Sequence, residues 1–207
     1  MTGSDPGVFS IGHSTHTLDR FTDLAARHKV VAVADVRSSP YSRYNPQFNK
    51  DVLQGALVAR GIEYHFLGNN LGARPPDRSL YEGGRVKYAR LAETELFAVG
   101  IKRVIELASR RRVALMCAEK DPLECHRTLL VARALEEQGV TVNHILVDGR
   151  LESQQEVLER LLSVIGLPYH DMFSTHEEMI LEAMARQEER IAYVDNSQLA
   201  TGQRAKQ

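Results

Sequence analysis

The sequence lacks several features that would place it in a specialised class. It has no tryptophan and only two cysteines among 207 residues; a secreted disulfide scaffold carries more, so we predict a reducing, cytoplasmic location. No apolar run approaches the roughly 18 to 20 residues of a membrane-spanning helix, so no membrane association is predicted. Residues 1–7 also lack the basic and then apolar order of a signal peptide. A formal charge of −1 argues against nucleic-acid binding through overall charge alone.

The common nucleotide-binding and metalloprotease motifs are also missing. The chain contains no Gly-x-Gly-x-x-Gly stretch, no P-loop and no His-Glu-x-x-His pair. A Cys-x5-Arg phosphatase loop is absent because the arginine that follows Cys117 is Arg127, which is too far along the chain. A site must therefore be inferred from the fold and from the residues that the fold gathers.

Short apolar runs alternate with segments of helical periodicity. Strands are predicted at 8–12, 30–34, 62–66, 113–117 and 141–147, and helices at 18–25, 51–60, 90–109, 125–138 and 154–165. The run 30–34 is β-branched and small, which is typical of a strand buried on both faces of a parallel sheet. This order predicts an α/β fold: a three-layer α/β/α sandwich with a mostly parallel sheet of about five strands and C-terminal helices.

The organisation of the chain follows from changes in composition. We predict a flexible N-terminus at 1–7, an α/β domain at 8–170, a C-terminal helical appendage at 171–195 and a flexible tail at 196–207. The appendage carries an apolar face made of Met179, Ile180, Ala183 and Met184. This face is expected to pack on the domain or, as the alternative, to join two copies as a homodimer.

Reactive side chains follow the predicted strands, at the edge where α/β proteins bind ligands. The most informative segment starts at Cys117, the end of the fourth strand, passes through Pro122 and ends at Cys125, His126 and Arg127. Proline often opens a helix, so Cys125 is expected in a first helical turn. Free N–H groups and the helix dipole stabilise a thiolate there. The alternative is that both cysteines are small buried core residues.

The residues predicted to be catalytic are Cys125, Cys117, Glu119, His13 and Asp35. Glu119 and His13 are candidates for proton transfer, and Asp35 for orienting a partner or transferring a proton. Each has a simpler alternative. Glu119 is then a solvated loop charge, His13 a structural histidine, and Asp35 one half of a salt bridge with Arg37.

The residues predicted to bind substrate are Arg37, Ser38, Arg127, Ser14, Tyr41, Arg43 and Asn45. The arginines suit an anion, because the guanidinium fork matches phosphate and carboxylate. The loop 37–49 interleaves aromatic and basic side chains, a combination that stacks on bases and contacts phosphate, so nucleic acid is a candidate partner. The alternative is a solvated lid with its aromatic side chains tucked beneath it.

No cofactor follows from the sequence, and no metal ligand is predicted. Seven residues separate the two cysteines, a spacing that matches neither the common zinc pairs nor a Cys-x-x-Cys redox motif. A metal ion would need His13 or His126 as a further ligand, and it is kept as an alternative.

Four blocks, in order, resemble a known family. They are Ile11-Gly12-His13-Ser14; Asp35-Val36-Arg37 with Pro40, Ser42 and Asn45-Pro46; Leu67-Gly68; and Cys117-Ala118-Glu119 through Pro122 to Cys125-His126-Arg127. Over roughly residues 8–148 the chain resembles the domain of unknown function family 488, with Asn69-Asn70 in place of a glycine-rich stretch. The resemblance implies a cytoplasmic α/β domain with a cysteine-bearing active site, and it gives no substrate.

These observations predict an enzyme whose cysteine-containing site lies at the carboxyl ends of the strands. Its substrate would be an anion, either a phosphate-bearing small molecule or a nucleotide, and its reaction hydrolysis or group transfer through a thiol. One alternative is a nucleotide or nucleic-acid binding module that uses the same pocket without turnover. A second is a thiol redox sensor or a metal-dependent sensor built on the two cysteines.

Overall fold

The computed structural model describes residues 7–169 and 174–197. Its strands are β1 Gly7–Gly12, β2 Ala32–Asp35, β3 Glu63–Phe66, β4 Tyr81–Glu82, β5 Arg85–Val86, β6 Arg112–Cys117, β7 Val142–Ile145 and β8 Leu151–Ser153. Its α-helices are α1 Leu18–Arg27, α2 Lys50–Val58, α3 Gly68–Leu71, α4 Tyr88–Ala92, α5 Glu95–Ala108, α6 Arg133–Glu137, α7 Gln154–Ile165 and α8 His176–Ile191. Short 3₁₀ turns occur at Pro46–Phe48, Arg78–Leu80 and Pro122–Glu124, and a π-helical segment spans Arg127–Ala132.

Six strands form one sheet in the order β3-β2-β6-β1-β7-β8. The five that were predicted pair in parallel, and β8 adds an antiparallel strand at the edge next to β7. The predicted mostly parallel α/β sandwich is therefore confirmed, with one strand more than expected. The remaining two strands, β4 and β5, form a separate hairpin.

The two faces of the sheet bury different helices, as the alternation of side chains along a strand requires. In β6, Ala114 and Met116 face the cluster that contains the apolar residues of α1 and α2. Leu115 and Cys117 face the opposite cluster, which includes residues of α4, α5, α7 and α8. This alternation assigns Cys117 to the face covered by the later helices.

Two predicted helices differ in detail from those observed. The segment 90–109 is two helices, because Thr94 caps α5 by accepting a hydrogen bond from the N–H of Phe97. Gly100 does not interrupt α5; it is the point where this helix meets α3, and a Cβ there would lie 2.7 Å from Leu71. The segment 125–138 opens as a π-helix rather than an α-helix and begins after Cys125.

The C-terminal helix packs on the domain. Thr175 and Glu178 form a capping box at the start of α8, and Met179, Ala183 and Met184 are buried in the core. The homodimer through this helix stays a prediction. Residues 170–173, residues 1–6 of the flexible N-terminus predicted at 1–7 and most of the predicted tail, 198–207, lie outside the described residues, whereas Gly7 already belongs to β1. Within the described ranges, no helix combines the length and apolar character needed to cross a bilayer.

Candidate functional site

A small pocket opens at the carboxyl ends of the central strands. Its cavity volume is about 150 Å³, and its wall contains Arg37, Ser38, Arg74, Cys117, Glu119 and His126. β2 and β6 are neighbours in the sheet, so the loops that follow them meet at this edge. Four of these residues follow predicted strands closely or end them, and the structure brings them to the pocket wall: Arg37, Ser38, Cys117 and Glu119.

The pocket has a roof that the sequence gave no reason to expect. The wall also contains Tyr88 of α4, Glu124, Ile191 at the end of α8 and Tyr193 just after that helix. Arg74 stands out in the sequence only as part of a basic stretch. No periodicity or motif connects Tyr193 with Cys117, because 76 positions separate them in the chain.

Two sulfurs and one imidazole nitrogen meet at the wall of the pocket and directly behind it. Nδ1 of His126 lies 3.8 Å from Sγ of Cys117 and 3.8 Å from Sγ of Cys125. Nε2 of His126 donates to the carbonyl of Val36 at 3.1 Å, which fixes the ring so that Nδ1 points at the sulfurs. Cys117 belongs to the pocket wall, whereas Cys125 lies behind it.

Cys125 does not occupy a first helical turn, as was expected. Its backbone is extended, at φ −140° and ψ 139°, and it joins the 3₁₀ turn to the π-helical segment. Its sulfur still accepts a hydrogen bond from a helix N-terminus, since the N–H of Arg127 lies 3.5 Å from Sγ. One backbone N–H group thus faces the sulfur, although Cys125 itself lies just outside the helix.

The pKa values of the two thiols are shifted in opposite directions. Burial alone would raise the pKa of Cys125, but the hydrogen bond with Cys117 and the charges of Arg127 and His126 lower it well below its ordinary value. The pKa of Cys117 is raised by its hydrogen bond to Cys125 and by burial. Cys125 is therefore the first of the two to lose its proton, and the pair titrates as a unit.

Glu119 is the third titratable group of the site. Its Oε2 lies 3.0 Å from Sγ of Cys125. Burial and the charge of Cys125 raise the pKa of this carboxyl. Since Glu119 also lines the pocket, it is placed to hold a proton within reach of a bound molecule.

Arg127 is buried beneath the pocket and does not line it. Its side chain donates to Oγ of Ser10 at 3.2 Å and to the carbonyl of Glu119 at 2.8 Å. The guanidinium thus fixes the loop that carries Glu119 and supplies positive charge near Cys125. Binding of substrate by Arg127 stays a prediction.

A chain of hydrogen bonds continues from Arg127 to the sheet edge. Ser10 contacts Nδ1 of His144 at 2.6 Å, and Nε2 of His144 contacts Oε1 of Gln154 at 2.8 Å. Gln154 donates in turn to the carbonyl of Thr128. Burial and Arg127 lower the pKa of His144 to about 4, so this chain is neutral apart from Arg127. The sequence offered no signal for Ser10 or His144.

Asp35 and Arg37 form a second buried cluster beside the thiols. Nε and Nη2 of Arg37 donate to the two carboxylate oxygens of Asp35, at 2.9 and 2.6 Å, and Tyr64 donates to the same carboxylate at 2.7 Å. Nη1 of Arg37 donates to Nε2 of His13 at 3.2 Å. Asp35 is therefore the partner of Arg37, which was the simpler of its two alternatives, and it does not line the pocket.

His13 is held neutral by its surroundings. Its Nδ1 donates to the carbonyl of Ser14 at 2.8 Å, and its ring stacks on Phe48 with centroids 4.3 Å apart. Burial, together with the charge of Arg37, lowers its pKa to about 4. His13 positions Arg37, and proton transfer by His13 stays a prediction.

The remaining predicted substrate ligands lie at different distances from the pocket. Ser38 lines it and accepts a hydrogen bond from the N–H of Arg74. Tyr41 is 56% exposed, and neither it nor Arg43 belongs to the pocket wall. The backbone N–H of Asn45 donates to Ser42 within its own loop. Contacts of Ser14, Tyr41, Arg43 and Asn45 with a substrate stay predictions.

Among the described residues, one group of side chains has the donors of a metal site. Sγ of Cys117, Sγ of Cys125 and Nδ1 of His126 all lie within 4.8 Å of one another. Of the two histidines considered in the sequence, the fold brings His126 to the sulfurs and directs His13 to Arg37.

The fold and the site together define a class: three-layer α/β proteins with a buried pair of thiols and an imidazole at the carboxyl ends of the central strands. Residues 17–134 match the family described as Domain of unknown function DUF488. This is more than half of the chain, so the chain belongs to that family, and the resemblance seen in the sequence is confirmed. Comparison with curated proteins and with solved structures gives no match.

Proposed function

We propose that this protein is an enzyme that transfers or hydrolyses a group of an anionic substrate through a cysteine nucleophile. One observation carries the proposal: Cys117 opens into a pocket beside Arg37, its sulfur lies next to Cys125 and His126, and Glu119 contacts the sulfur of Cys125. A cysteine that serves only as core packing does not need a histidine fixed toward it and a carboxyl beside its neighbour.

We infer a role for each group from its position in the site. Sγ of Cys117 attacks the electrophilic centre and forms a bond to it, and its proton passes to the Cys125 thiolate. The bond to the leaving group breaks with its electron pair, and Glu119 supplies a proton to that group. Water, or the hydroxyl of a second acceptor, then attacks the thiol-bound intermediate and gives its proton to Glu119. The bond to Sγ of Cys117 breaks with its electron pair on sulfur, and the proton held by Cys125 returns to Cys117.

The first experiment is alkylation of the folded protein by iodoacetamide over a range of pH, with each cysteine followed by peptide mass spectrometry. The pair loses its first proton below the pH of an ordinary thiol, and the remaining proton can move between the two sulfurs, so we expect alkylation of Cys117 to begin at pH 7, below the pH of about 8.5 that governs a free thiol. Cys125→Ser should move the midpoint for Cys117 upward, because Cys117 then titrates alone with a pKa that burial raises. Circular dichroism of each variant shows whether the fold is kept.

Two results would count against this function. If both thiols react only above about pH 8.5 in folded protein, the site has no activated nucleophile. If the purified protein contains one equivalent of metal and alkylation begins only after chelation, then Cys117, Cys125 and His126 are metal ligands, which favours the alternative of a metal-dependent sensor. Steep loss of affinity for oligonucleotides with added salt, together with unreactive thiols, would favour the binding module.

A further inference from the structure

Arg74 is a cation at the pocket that no carboxylate of the described residues neutralises. Within residues 7–169 and 174–197, it takes part in none of the ion pairs. Arg37 differs, since Asp35 balances its charge through two hydrogen bonds. The pocket therefore has one guanidinium that is engaged and one that is available to a ligand.

Two contacts hold Arg74 at the pocket. Its backbone N–H donates to Oγ of Ser38 at 3.0 Å, and the approach is close enough that a Cβ on Gly72 would lie 2.4 Å from the same oxygen. Its guanidinium lies over the ring of Tyr193, 4.8 Å from the ring centroid. A guanidinium at this distance from an aromatic face is attracted by the ring.

Tyr193 is itself held by the hairpin of β4 and β5. The N–H of Val86 donates to the carbonyl of Tyr193 at 3.0 Å, and the N–H of Asp195 donates to the carbonyl of Gly84 at 2.7 Å. Arg85 and Val194 pair between these two bonds. The segment that follows α8 is therefore attached as a short extra strand, and it fixes the ring beneath Arg74.

The pocket limits the size of what can bind. A cavity of about 150 Å³ corresponds to roughly five water molecules at about 30 Å³ each. A carboxylate or a phosphate on a short carbon skeleton fits in that space. The charged end of the ligand belongs at Arg74, because Arg74 forms no ion pair with a described residue, whereas Asp35 already balances the charge of Arg37.

We propose that Arg74, positioned by the ring of Tyr193, binds the charged group of a small carboxylate or phosphate substrate and presents the other end to Cys117. This inference rests on the proposed thiol function and adds the substrate class to it. Arg74 contacts the substrate directly, and Tyr193 is a positioning residue that acts through Arg74.

Two alkylating reagents that differ in charge test the inference. Iodoacetate and iodoacetamide both form a carbon–sulfur bond and release iodide, but only iodoacetate carries a carboxylate. The rate of each reaction at Cys117 is measured at equal pH and divided by its rate with glutathione, which removes intrinsic reactivity. The iodoacetamide rate reports on the thiol, and the ratio of the two corrected rates reports on the anion site.

We expect Arg74→Gln to lower the corrected ratio of iodoacetate to iodoacetamide about tenfold or more, since it removes a charge-assisted hydrogen bond. The iodoacetamide rate should stay within about twofold of the unmodified protein, because Arg74 makes no contact with the sulfurs. Arg78→Gln is the matched control. It removes an exposed arginine of the same loop region that does not line the pocket, so its ratio should be unchanged.

Two substitutions of Tyr193 distinguish a positioning role from an effect on stability alone. Tyr193→Phe keeps the aromatic face and should keep the ratio, whereas Tyr193→Leu removes the face and should lower the ratio while the iodoacetamide rate holds. Equal ratios for Arg74→Gln and Arg78→Gln would overturn the anion site and leave the nucleophile intact. An iodoacetamide rate as slow as that of an ordinary thiol at pH 7 would instead contradict the proposed function.

Discussion

Asp35 accepts four hydrogen bonds in a region that water does not reach. The donors are the backbone N–H, Nε and Nη2 of Arg37 and the hydroxyl of Tyr64. Because both partners of the ion pair are buried, each is stable only in the presence of the other. The geometry at the pocket edge therefore depends on one carboxylate that never touches the cavity.

Asp35→Asn should destabilise the protein by about 3 to 5 kcal/mol, because it leaves the Arg37 guanidinium buried without a counter-charge. Tyr64→Phe is the matched control, since it removes one donor to the same carboxylate and should cost about 1 kcal/mol. Urea unfolding followed by circular dichroism measures both variants. An equal loss in the free energy of unfolding for the two variants would contradict the large contribution expected from the ion pair.

His13 makes stability depend on pH in one direction. Its pKa falls from 6.5 in the unfolded chain to about 4 in the folded one, so the native state binds fewer protons. The contribution is fully present above pH 6.5 and is lost as the pH falls from 6.5 toward 4. Between pH 7 and pH 5 the loss is about 2 kcal/mol for this histidine.

The variant His13→Asn should therefore lose about 2 kcal/mol less than the unmodified protein when urea unfolding is compared at pH 7 and pH 5. The same comparison for His144 gives a similar expectation, since its pKa is also lowered to about 4. An NMR titration in which the His13 ring gains its proton near pH 6.5 would contradict this account.

At the scale of whole elements, the loops around the site approach one another too closely for side chains. A Cβ at Gly68 would lie 2.0 Å from the carbonyl of Arg37, and one at Gly12 would lie 1.9 Å from the carbonyl of Glu119. The carbonyl of Glu119 also accepts the hydrogen bond from Arg127. These two glycines set the spacing between the ends of the strands.

Gly68→Ala should therefore destabilise the protein by about 1 to 3 kcal/mol, because the backbone must move to admit the methyl group. Gly55→Ala provides the control in α2, where a Cβ would meet nothing within 4 Å. That substitution should stabilise the protein by about 0.5 to 1 kcal/mol through helix propensity. Thermal unfolding should show a lower Tm for Gly68→Ala and a higher Tm for Gly55→Ala than for the unmodified protein.

The elements with strong apolar patterns were predictable from the sequence, and the short edge elements were not. β1, β2 and β6 are buried on both faces and carry continuous apolar runs, so their positions were predicted to within two residues at either end. β8 and the β4–β5 hairpin have only two or three residues per strand. Pairing with neighbours, rather than their own composition, makes them strands.

The candidate site shows the same division. Residues that directly follow a buried strand, such as Arg37, Cys117 and Glu119, could be found because the strand ends of an α/β fold share one edge. Arg74 and Tyr193 reach the pocket through tertiary packing of a hairpin and a C-terminal segment. The role of Asp35 as a partner of Arg37 was an open alternative, and only the distances decide it.

At the scale of the whole molecule, the pocket joins two parts of the chain with different attachments. Its floor belongs to β6 in the centre of the sheet, which is flanked by β1 and β2. Tyr193 of its roof belongs to the segment after α8. Two backbone hydrogen bonds and one bridge attach this segment to the hairpin. The floor should be far more resistant to local opening than the roof.

Hydrogen exchange should show this difference. We expect the amides of β1 and β6 to exchange slowest, and those of residues 191–195 and the β4–β5 hairpin to exchange much faster. After iodoacetate has modified Cys117, the added carboxylate should bind Arg74, and exchange in both fast segments should slow down. Iodoacetamide-modified protein is the control, and equal protection in the two adducts would contradict a contact with Arg74.

The position of the roof within the chain has a consequence for how such proteins diversify. The stretch that defines the family, residues 17–134, contains both cysteines, whereas Ile191 and Tyr193 lie beyond it. Exchange of the terminal segment alone would place a new surface above the same sulfurs. Within the proposed function, the surface that binds the substrate can therefore change separately from the two cysteines, and a chimera that carries another chain's C-terminal segment tests this.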